Sequence, residues 1–301
     1  MQRRLILSLT MALTMCCLIA QAQQLDTTLI LVHYKFTYVR DTTNRAHPYT
    51  ENMVLCVGKN ASNYRSYDRA VTDAQFKKQI EDQLKNSPDG NITTNRRMFG
   101  TLTEIYQYPN QKAMLRKEFT FNNYLMTDTL HNISWRITND TATFGGLHCQ
   151  KATAHFKGRD YTAWFCPDLP LHVGPWKLNG LPGVIVDAYD AKNEVVFKFD
   201  GVEKASPIVN SNTVADDHEG VYKLFGDLTE DVNVIKPPAK SIRVTEKDFE
   251  KLQVAMEKDP QAFANSAMAA DGPSPKMSMS VKRGPDQVIN NPIELPEKGS
   301  K

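Results

Sequence analysis

The chain has 301 residues, with 36 Lys and Arg, 34 Asp and Glu, and a formal net charge of +2. This balance argues against nucleic acid or an anionic membrane surface as the main partner, because such partners select a marked excess of basic groups. Hydrophobic residues make up 41% of the chain, which is enough for a substantial packed core.

Residues 1–22 have the pattern of a cleaved signal peptide. Arg3 and Arg4 form a basic start, residues 5–19 are apolar, and Ala-Gln-Ala at 20–22 is a typical cleavage signal. The apolar run is too short to span a bilayer comfortably. We therefore expect a mature chain that begins at Gln23, carries no transmembrane anchor, and lies in the periplasm or on the periplasmic face of the outer membrane.

The five cysteines fall into two groups. Cys16 and Cys17 lie inside the apolar run of the signal instead of after it, which argues against a lipoprotein. Cys56, Cys149 and Cys166 remain in the mature chain. An odd number in an oxidising compartment allows one disulfide and leaves one free thiol.

Short segments with alternating apolar residues follow one another from residue 29, as is typical of β-strands. The first three are predicted at 29–39, 52–58 and 61–67. A helix is then predicted from the capping box of Thr72 and Gln75 and from the four-residue spacing of Phe76, Ile80 and Leu84. Further strands are predicted at 101–108, 113–121, 133–138, 147–156, 161–166, 183–189 and 195–202.

The turns between these strands are short, which favours an antiparallel meander over βαβ units. A second amphipathic helix is predicted to begin at Thr245 and Asp248. The sequence thus predicts a mainly β (α+β) fold, with a curved antiparallel sheet and two helices in a single domain at 23–268. A loosely ordered tail is predicted at 269–301, with a short apolar patch at 292–295.

The hairpin formed by the strands at 147–156 and 161–166 is the most informative local feature. With a tight turn at Gly158-Arg159, Phe156 would face Tyr161, and aromatic residues and alanines would alternate on a core face. Three further consequences of this register are that Lys151 lies beside Cys166, that Lys151 lies diagonal to Trp164, and that Cys149 lies diagonal to Cys166. The opposite face could be a solvated surface or a polar and aromatic binding patch with a cation–π contact. The candidate binding residues are Lys151, Arg159, Trp164 and Trp176, and the candidate disulfide joins Cys149 to Cys166.

Two glycine- and proline-rich segments follow this hairpin. The first is Gly174-Pro175-Trp176, and the second is Gly180-Leu181-Pro182-Gly183, which leads into a buried strand. Glycine and proline offer sharply turned backbone but no side-chain chemistry. The predicted role of Gly174, Pro175, Gly180, Leu181, Pro182 and Gly183 is therefore structural.

The ordered motif series closely resembles the GLPGLI family of exported Gram-negative proteins. It is carried by Cys149-x-Lys151-Ala152, Gly158-Arg159, Ala163-Trp164-Phe165, Gly174-Pro175, Gly180-Leu181-Pro182-Gly183-Val184-Ile185 and, near the end, Asn290-Asn291-Pro292-Ile293-Glu294-Leu295. Val184 replaces the Leu of the family name. The resemblance implies a cell-envelope role, often beside TonB-dependent outer-membrane receptors, but implies no catalytic residue. The strand-rich pattern also looks like the lipoprotein-carrier (LolA-like) half-barrel, which is an analogy of fold alone.

The motifs of the common enzyme classes are missing from the sequence. It contains no nucleophile elbow, zinc-protease motif, Walker loop or dinucleotide fingerprint, so we predict no cofactor, no metal and no catalytic residue. A Cys-dependent enzyme stays open as an alternative, with Cys149 or Cys166 paired to His155 or His172. The favoured prediction is a non-catalytic envelope protein that binds an apolar or peptidic ligand or a protein partner. A partner-binding protein without a ligand cavity is the other alternative.

Overall fold

A computed structural model describes residues 26–86, 100–120, 122–205, 233–239, 241–260, 262–263, 266 and 288–297. The predicted signal peptide and most of the predicted tail lie outside these residues. In sequence order the described elements are β1 (Asp26–Thr27), β2 (Ile30–Tyr38), β3 (Tyr49–Val57), β4 (Ser62–Ser66), α1 (Tyr67–Asn86), β5 (Glu104–Tyr108), β6 (Ala113–Thr120), β7 (Asn122–Thr129), β8 (Arg136–Phe144), β9 (Leu147–Phe156), β10 (Arg159–Cys166), β11 (Val184–Asp190), β12 (Val195–Lys204), β13 (Val234–Ile235), β14 (Ser241–Arg243) and α2 (Glu246–Lys258).

One large curved sheet dominates the molecule. It has 12 strands in the order β14-β7-β6-β5-β4-β3-β2-β12-β11-β10-β9-β8. Neighbouring strands run antiparallel except where β14 joins β7 in parallel. The predicted mainly β fold with a curved antiparallel sheet and two helices is confirmed.

One face of the sheet, called here the inner face, carries the main hydrophobic core. Its strand residues alternate as the predicted pattern requires, with Val32, Tyr34 and Leu55 essentially inaccessible to solvent. The segment between β10 and β11 folds onto this face and adds Leu178 and Leu181 to the same core. The inner face of the sheet is therefore covered in part by the chain's own loop.

The two helices lie at different places on the sheet. α1 begins nearly two turns earlier than predicted, because Ser66 caps it: the Ser66 hydroxyl accepts a hydrogen bond from the Arg69 amide at 3.0 Å. Thr72, the predicted cap, lies inside the helix and donates to the Asp68 carbonyl. α2 is capped by Thr245 as predicted, and its buried Phe249 packs on the aromatic ring of Tyr124 in β7.

The β9–β10 hairpin differs from its predicted register by two residues. Its turn is Lys157-Gly158, not Gly158-Arg159, because both central residues adopt the positive φ angles (51° and 70°) of a tight hairpin turn. Tyr161 therefore pairs with Ala154 instead of Phe156. The assignment of faces survives, since a two-residue shift preserves alternation, and the predicted core face is buried.

Residues 288–297 return to the sheet and lie across one end of it. The amides of Asn290 and Asn291 donate to the Arg40 carbonyl, and the Leu295 amide donates to the Lys157 carbonyl. This segment, called here the C-terminal strap, connects the end of β2 to the β9–β10 turn. The predicted apolar patch at 292–295 is thus docked on the domain.

Candidate functional site

A cleft of about 640 Å³ opens on the inner face of the sheet. The residues that line it from β2, β3, β4, β5, β6 and β12 project from that face, because they occupy alternate strand positions in register with one another. Its apolar floor is formed by Phe36, Met53, Tyr64, Ile105, Trp176 and Phe197.

Aromatic rings pack against one another across this floor. Phe36 and Phe197 are direct neighbours on β2 and β12, and their rings stack with centroids 5.1 Å apart. Trp176 lies nearly parallel to Phe197, at 6.5 Å and 14° between planes. Tyr64 meets Phe197 edge to face at 6.2 Å. Such pairs hold their rings in fixed positions, so the floor is preformed.

Trp176 reaches the cleft because its loop is tied to β5. The Gln107 side-chain amide donates to the Trp176 carbonyl at 2.9 Å and approaches the Gly174 and Leu178 carbonyls at 3.3 Å. Trp176 itself has φ of 53°, a left-handed conformation that is costly for an aromatic residue. Strain of this kind persists only where the surroundings enforce it. Trp176 is the one candidate binding residue that the structure places in the cleft.

The Gly180–Gly183 loop has the geometry that a structural role requires. Gly180 has φ of 89°, and Leu181 is 1% exposed in the main core. A β-carbon at Gly183 would lie 2.1 Å from the Cys166 carbonyl oxygen, which no side chain could tolerate. Gly174 is similarly enclosed, since its β-carbon would meet Ile185 and the Leu178 carbonyl at 2.9 Å.

Charged side chains form the walls of the cleft. The two lysines among them, Lys157 and Lys177, pair with carboxylates of the protein itself. Lys177 bridges Asp128 at 2.9 Å and Glu294 at 2.8 Å, and Lys157 also reaches Glu294, at 3.1 Å. Burial opposes the charged form of Glu294, but the two lysines outweigh it and lower its pKa. The other charged lining residues are Arg40, Glu51, Arg116, Glu118 and Glu246.

Burial dominates at one carboxyl group of the walls. The pKa of Glu118 is raised because its burial outweighs hydrogen bonds and the charge of Arg116, which lies 3.0 Å away. Arg116 also pairs with Glu246 at the start of α2. The guanidinium of Arg40 lies 3.6 Å from the centre of the Tyr49 ring and so caps one wall by a cation–π contact.

Arg159, predicted as a binding residue, is buried, and its guanidinium donates all of its hydrogen bonds to groups of the protein itself. Its Nη1 donates to Asp190 at 2.7 Å and to Glu194 at 3.1 Å. Nη2 donates to the Asn291 side chain and the Pro292 carbonyl, both at 2.8 Å, and Nε donates to the Ile293 carbonyl at 2.9 Å. Five acceptors thus satisfy its five N–H groups, so Arg159 joins the strap to the sheet and is not free to bind a ligand.

Lys151 and Trp164 lie on the outer face of the sheet, away from the cleft. They are directly opposite each other instead of diagonal, and the Lys151 ammonium lies 6.0 Å from the Trp164 ring. Lys151 also pairs with Asp140 at 3.1 Å. The four candidate binding residues are therefore spread over the inner face, the outer face and the buried strap junction, and they do not form one site.

The three described cysteines are free, buried thiols. Burial raises the pKa of Cys56 and Cys166, and it raises the pKa of Cys149 to about 12, with a further increase from Cys166. The Cys149 thiol contacts the Leu147 carbonyl. These surroundings disfavour the thiolate that a Cys–His nucleophile needs. Within the described ranges no cluster of three metal-binding side chains occurs, and no helix is long and apolar enough to cross a membrane.

Most residues of the cleft could not be identified from the sequence. Phe36 was assigned only to a strand, and Tyr49 fell between two predicted strands. The signal that could have identified Phe36 is the run of aromatic residues at alternate positions of β2: Tyr34, Phe36 and Tyr38. Such a run exceeds what a simple aliphatic core face needs. The ion pairs in the walls of the cleft leave no recognisable pattern in the sequence, because the paired residues come from distant parts of the chain.

Comparison with known proteins yields a partial structural likeness. No family model matches the chain, and no curated protein matches it significantly. Structures of PNGF-II in the C2 and P21 space groups are similar, with 12% and 10% sequence identity and TM-scores of 0.45 and 0.44. The similar region covers 74% of this chain and 32% of each PNGF-II chain. The chain therefore spans about a third of the length of the PNGF-II chains it matches.

Proposed function

We propose that this protein is an exported, non-catalytic cell-envelope protein that binds an apolar or peptidic ligand in the cleft on the inner face. The observation that carries the proposal is the cleft itself, at about 640 Å³ with a preformed aromatic floor. Sites for small molecules commonly have volumes of roughly 300–1,000 Å³, with mostly apolar walls and a few fixed polar groups.

The electrostatics of the cleft support an uncharged or internally balanced ligand. Lys157 and Lys177 are neutralised by carboxylates of the protein, so a strongly anionic ligand would have to displace those pairs. Breaking a partly buried ion pair costs free energy that a small anion does not fully return. Apolar contact with the floor, by comparison, is available without rearrangement.

The raised pKa values of the three thiols support a non-catalytic role. The assignment to the envelope, and the association with TonB-dependent receptors that goes with it, are proposals that the signal-like residues 1–22 and the GLPGLI-like motif series support.

A titration with the neutral dye Nile red tests the cleft. The wild-type protein should bind the dye with a blue-shifted emission, and Phe36→Ala should weaken binding about tenfold, since partial loss of an aromatic contact costs about 1.4 kcal/mol. Ile137→Ala is the matched control: Ile137 is apolar and 44% exposed on β8, away from the cleft. Equal weakening by both variants, or no binding to the wild type, would contradict the proposal.

A protein-binding role without a ligand is a second candidate. It is favoured by Val288 and Ile289, which lie at the start of the strap and are 61% and 56% exposed. Adjacent exposed aliphatic residues can form part of a protein interface. Substituting both by Ser should abolish recovery of an envelope partner without changing Nile red binding. Phe36→Ala, by contrast, should weaken Nile red binding and leave recovery of the partner unchanged.

A further inference from the structure

Cys149 and Cys166 lie opposite each other at the far end of the β9–β10 hairpin. The register pairs Phe165 with Gln150, and one further step places Cys166 opposite Cys149. Both side chains are buried, at 2% and 0% exposure. This corrects the diagonal arrangement predicted from sequence, in which a disulfide would have required a bulge.

The hairpin turn determines how closely the two residues approach. In a two-residue hairpin the pair that closes the turn, here Phe156 and Arg159, is hydrogen-bonded, and pairs then alternate in type along the ladder. Cys149 and Cys166 are seven steps from that pair, so they occupy a non-hydrogen-bonded position. The Cα atoms of such pairs are about 4.5 Å apart, within the range of about 4.4–6.8 Å that disulfides allow.

The two thiols also interact in the reduced protein. Cys166 adds to the increase in the pKa of Cys149, and Cys149 lowers the pKa of Cys166 against the larger effect of its burial. Each sulfur is therefore within interaction distance of the other. Cys56 belongs to a separate core cluster with Val54 and Tyr106.

Cys166 is also the point where the Trp176 loop leaves the sheet. The Cys166 carbonyl accepts a hydrogen bond from the Leu169 amide at 3.2 Å, and Leu169 accepts one from the Val184 amide at 3.0 Å. Gly183 passes directly over the same Cys166 carbonyl. The start and the end of the loop thus meet at Cys166, and a bond to Cys149 would fix both to β9.

We propose that Cys149 and Cys166 are an oxidisable dithiol, and that a thiol–disulfide exchange reagent converts them to a disulfide that locks the base of the Trp176 loop. The two thiols release two protons and two electrons. The exchanging disulfide accepts them, its S–S bond breaks to give two thiols, and the Cys149–Cys166 bond forms. Attack requires a thiolate, so exchange proceeds during folding or when the end of the hairpin opens.

Refolding in a buffer of reduced and oxidised glutathione tests the pairing. After alkylation of free thiols and non-reducing digestion, mass spectrometry should find a peptide that joins Cys149 to Cys166, with Cys56 alkylated. Cys56→Ser should give the same joined peptide, and Cys149→Ser should give none. Complete alkylation of Cys149 and Cys166, or a bond from either to Cys56, would overturn the proposal.

Hydrogen exchange tests the lock on the loop. The amides of Val184 and Ile185, which donate to the Leu169 and Val173 carbonyls, should exchange up to about a hundredfold more slowly in the oxidised protein, the effect of closing a loop of about 15 residues. The Cys149→Ser, Cys166→Ser double variant should show no difference between the two buffers. Equal exchange in the reduced and oxidised wild type would refute the lock.

Discussion

Replacing Arg159 by Ala should destabilise the protein by about 3–5 kcal/mol, the usual cost of removing one partner from a buried ion pair. The side chains of Arg159, Asp190 and Glu194 are 2–3% exposed. Without the guanidinium, the buried Asp190 carboxylate loses its charge partner, and the buried Glu194 keeps only the half-exposed Arg45. Three acceptors of the C-terminal strap also lose their donor.

Urea denaturation monitored by circular dichroism measures this cost, and Arg45→Ala provides a matched control. Arg45 pairs with the same Glu194 but is 53% exposed, so its removal should cost less than about 1 kcal/mol. Arg159→Lys retains the charge but not the forked donors, so it should fall between the two. It also serves if Arg159→Ala fails to fold.

The reasoning would be refuted if Arg159→Lys and Arg45→Ala had the same stability as the wild type. In that case, the bidentate and backbone contacts of the guanidinium would contribute nothing beyond a surface ion pair. Limited proteolysis gives an independent readout, because the strap should be cut faster in Arg159→Lys than in Arg45→Ala.

Two further predictions concern the motif loop and the strap. Gly183→Ala should destabilise the protein by at least about 1–3 kcal/mol, and thermal melting should show a larger loss than for Gly180→Ala. Both glycines have positive φ, but only at Gly183 do backbone atoms lie where the β-carbon would be. Equal losses of stability would contradict the steric argument. Hydrogen bonds to Asp160 and Glu297 raise the pKa of His155, so its stabilising contribution is complete below its unfolded pKa of about 6.5 and is lost as the pH rises through the higher folded value. Hydrogen exchange in the strap, corrected for intrinsic rates, should accelerate over that pH range in the wild type and show no such step in His155→Gln.

The fold class could be predicted from the periodicity of apolar residues. Two strands were missed or misplaced, and each error has an identifiable physical reason. β7 (Asn122–Thr129) was missed because its polar residues Asn122, Asn123 and Thr127 mask the apolar inner-face alternation of Tyr124 and Met126. β8 was predicted at 133–138 but lies at Arg136–Phe144, an edge strand that is mostly exposed and so has no apolar alternation to locate it.

The candidate site was less predictable than the fold. The hairpin register was wrong by two residues because sequence alone did not show that Lys157 would take the left-handed position beside Gly158. Arg159 was identified as important, but its role depends on Asp190, Glu194 and a strap more than 130 residues away. Trp176 was found through its motif, whereas the rings that surround it come from strands that meet only in the folded sheet.

The strap has a consequence for the order of folding during synthesis. Asn291 bonds to Tyr38 across 253 positions and to Arg159 across 132, so these contacts close very long loops and form slowly. Until residues 291–293 have been made, Arg159 lacks three of its five acceptors. A nascent chain therefore cannot complete this end of its core early, and the delay suits a polypeptide that must remain unfolded until it has crossed a membrane, as proposed here.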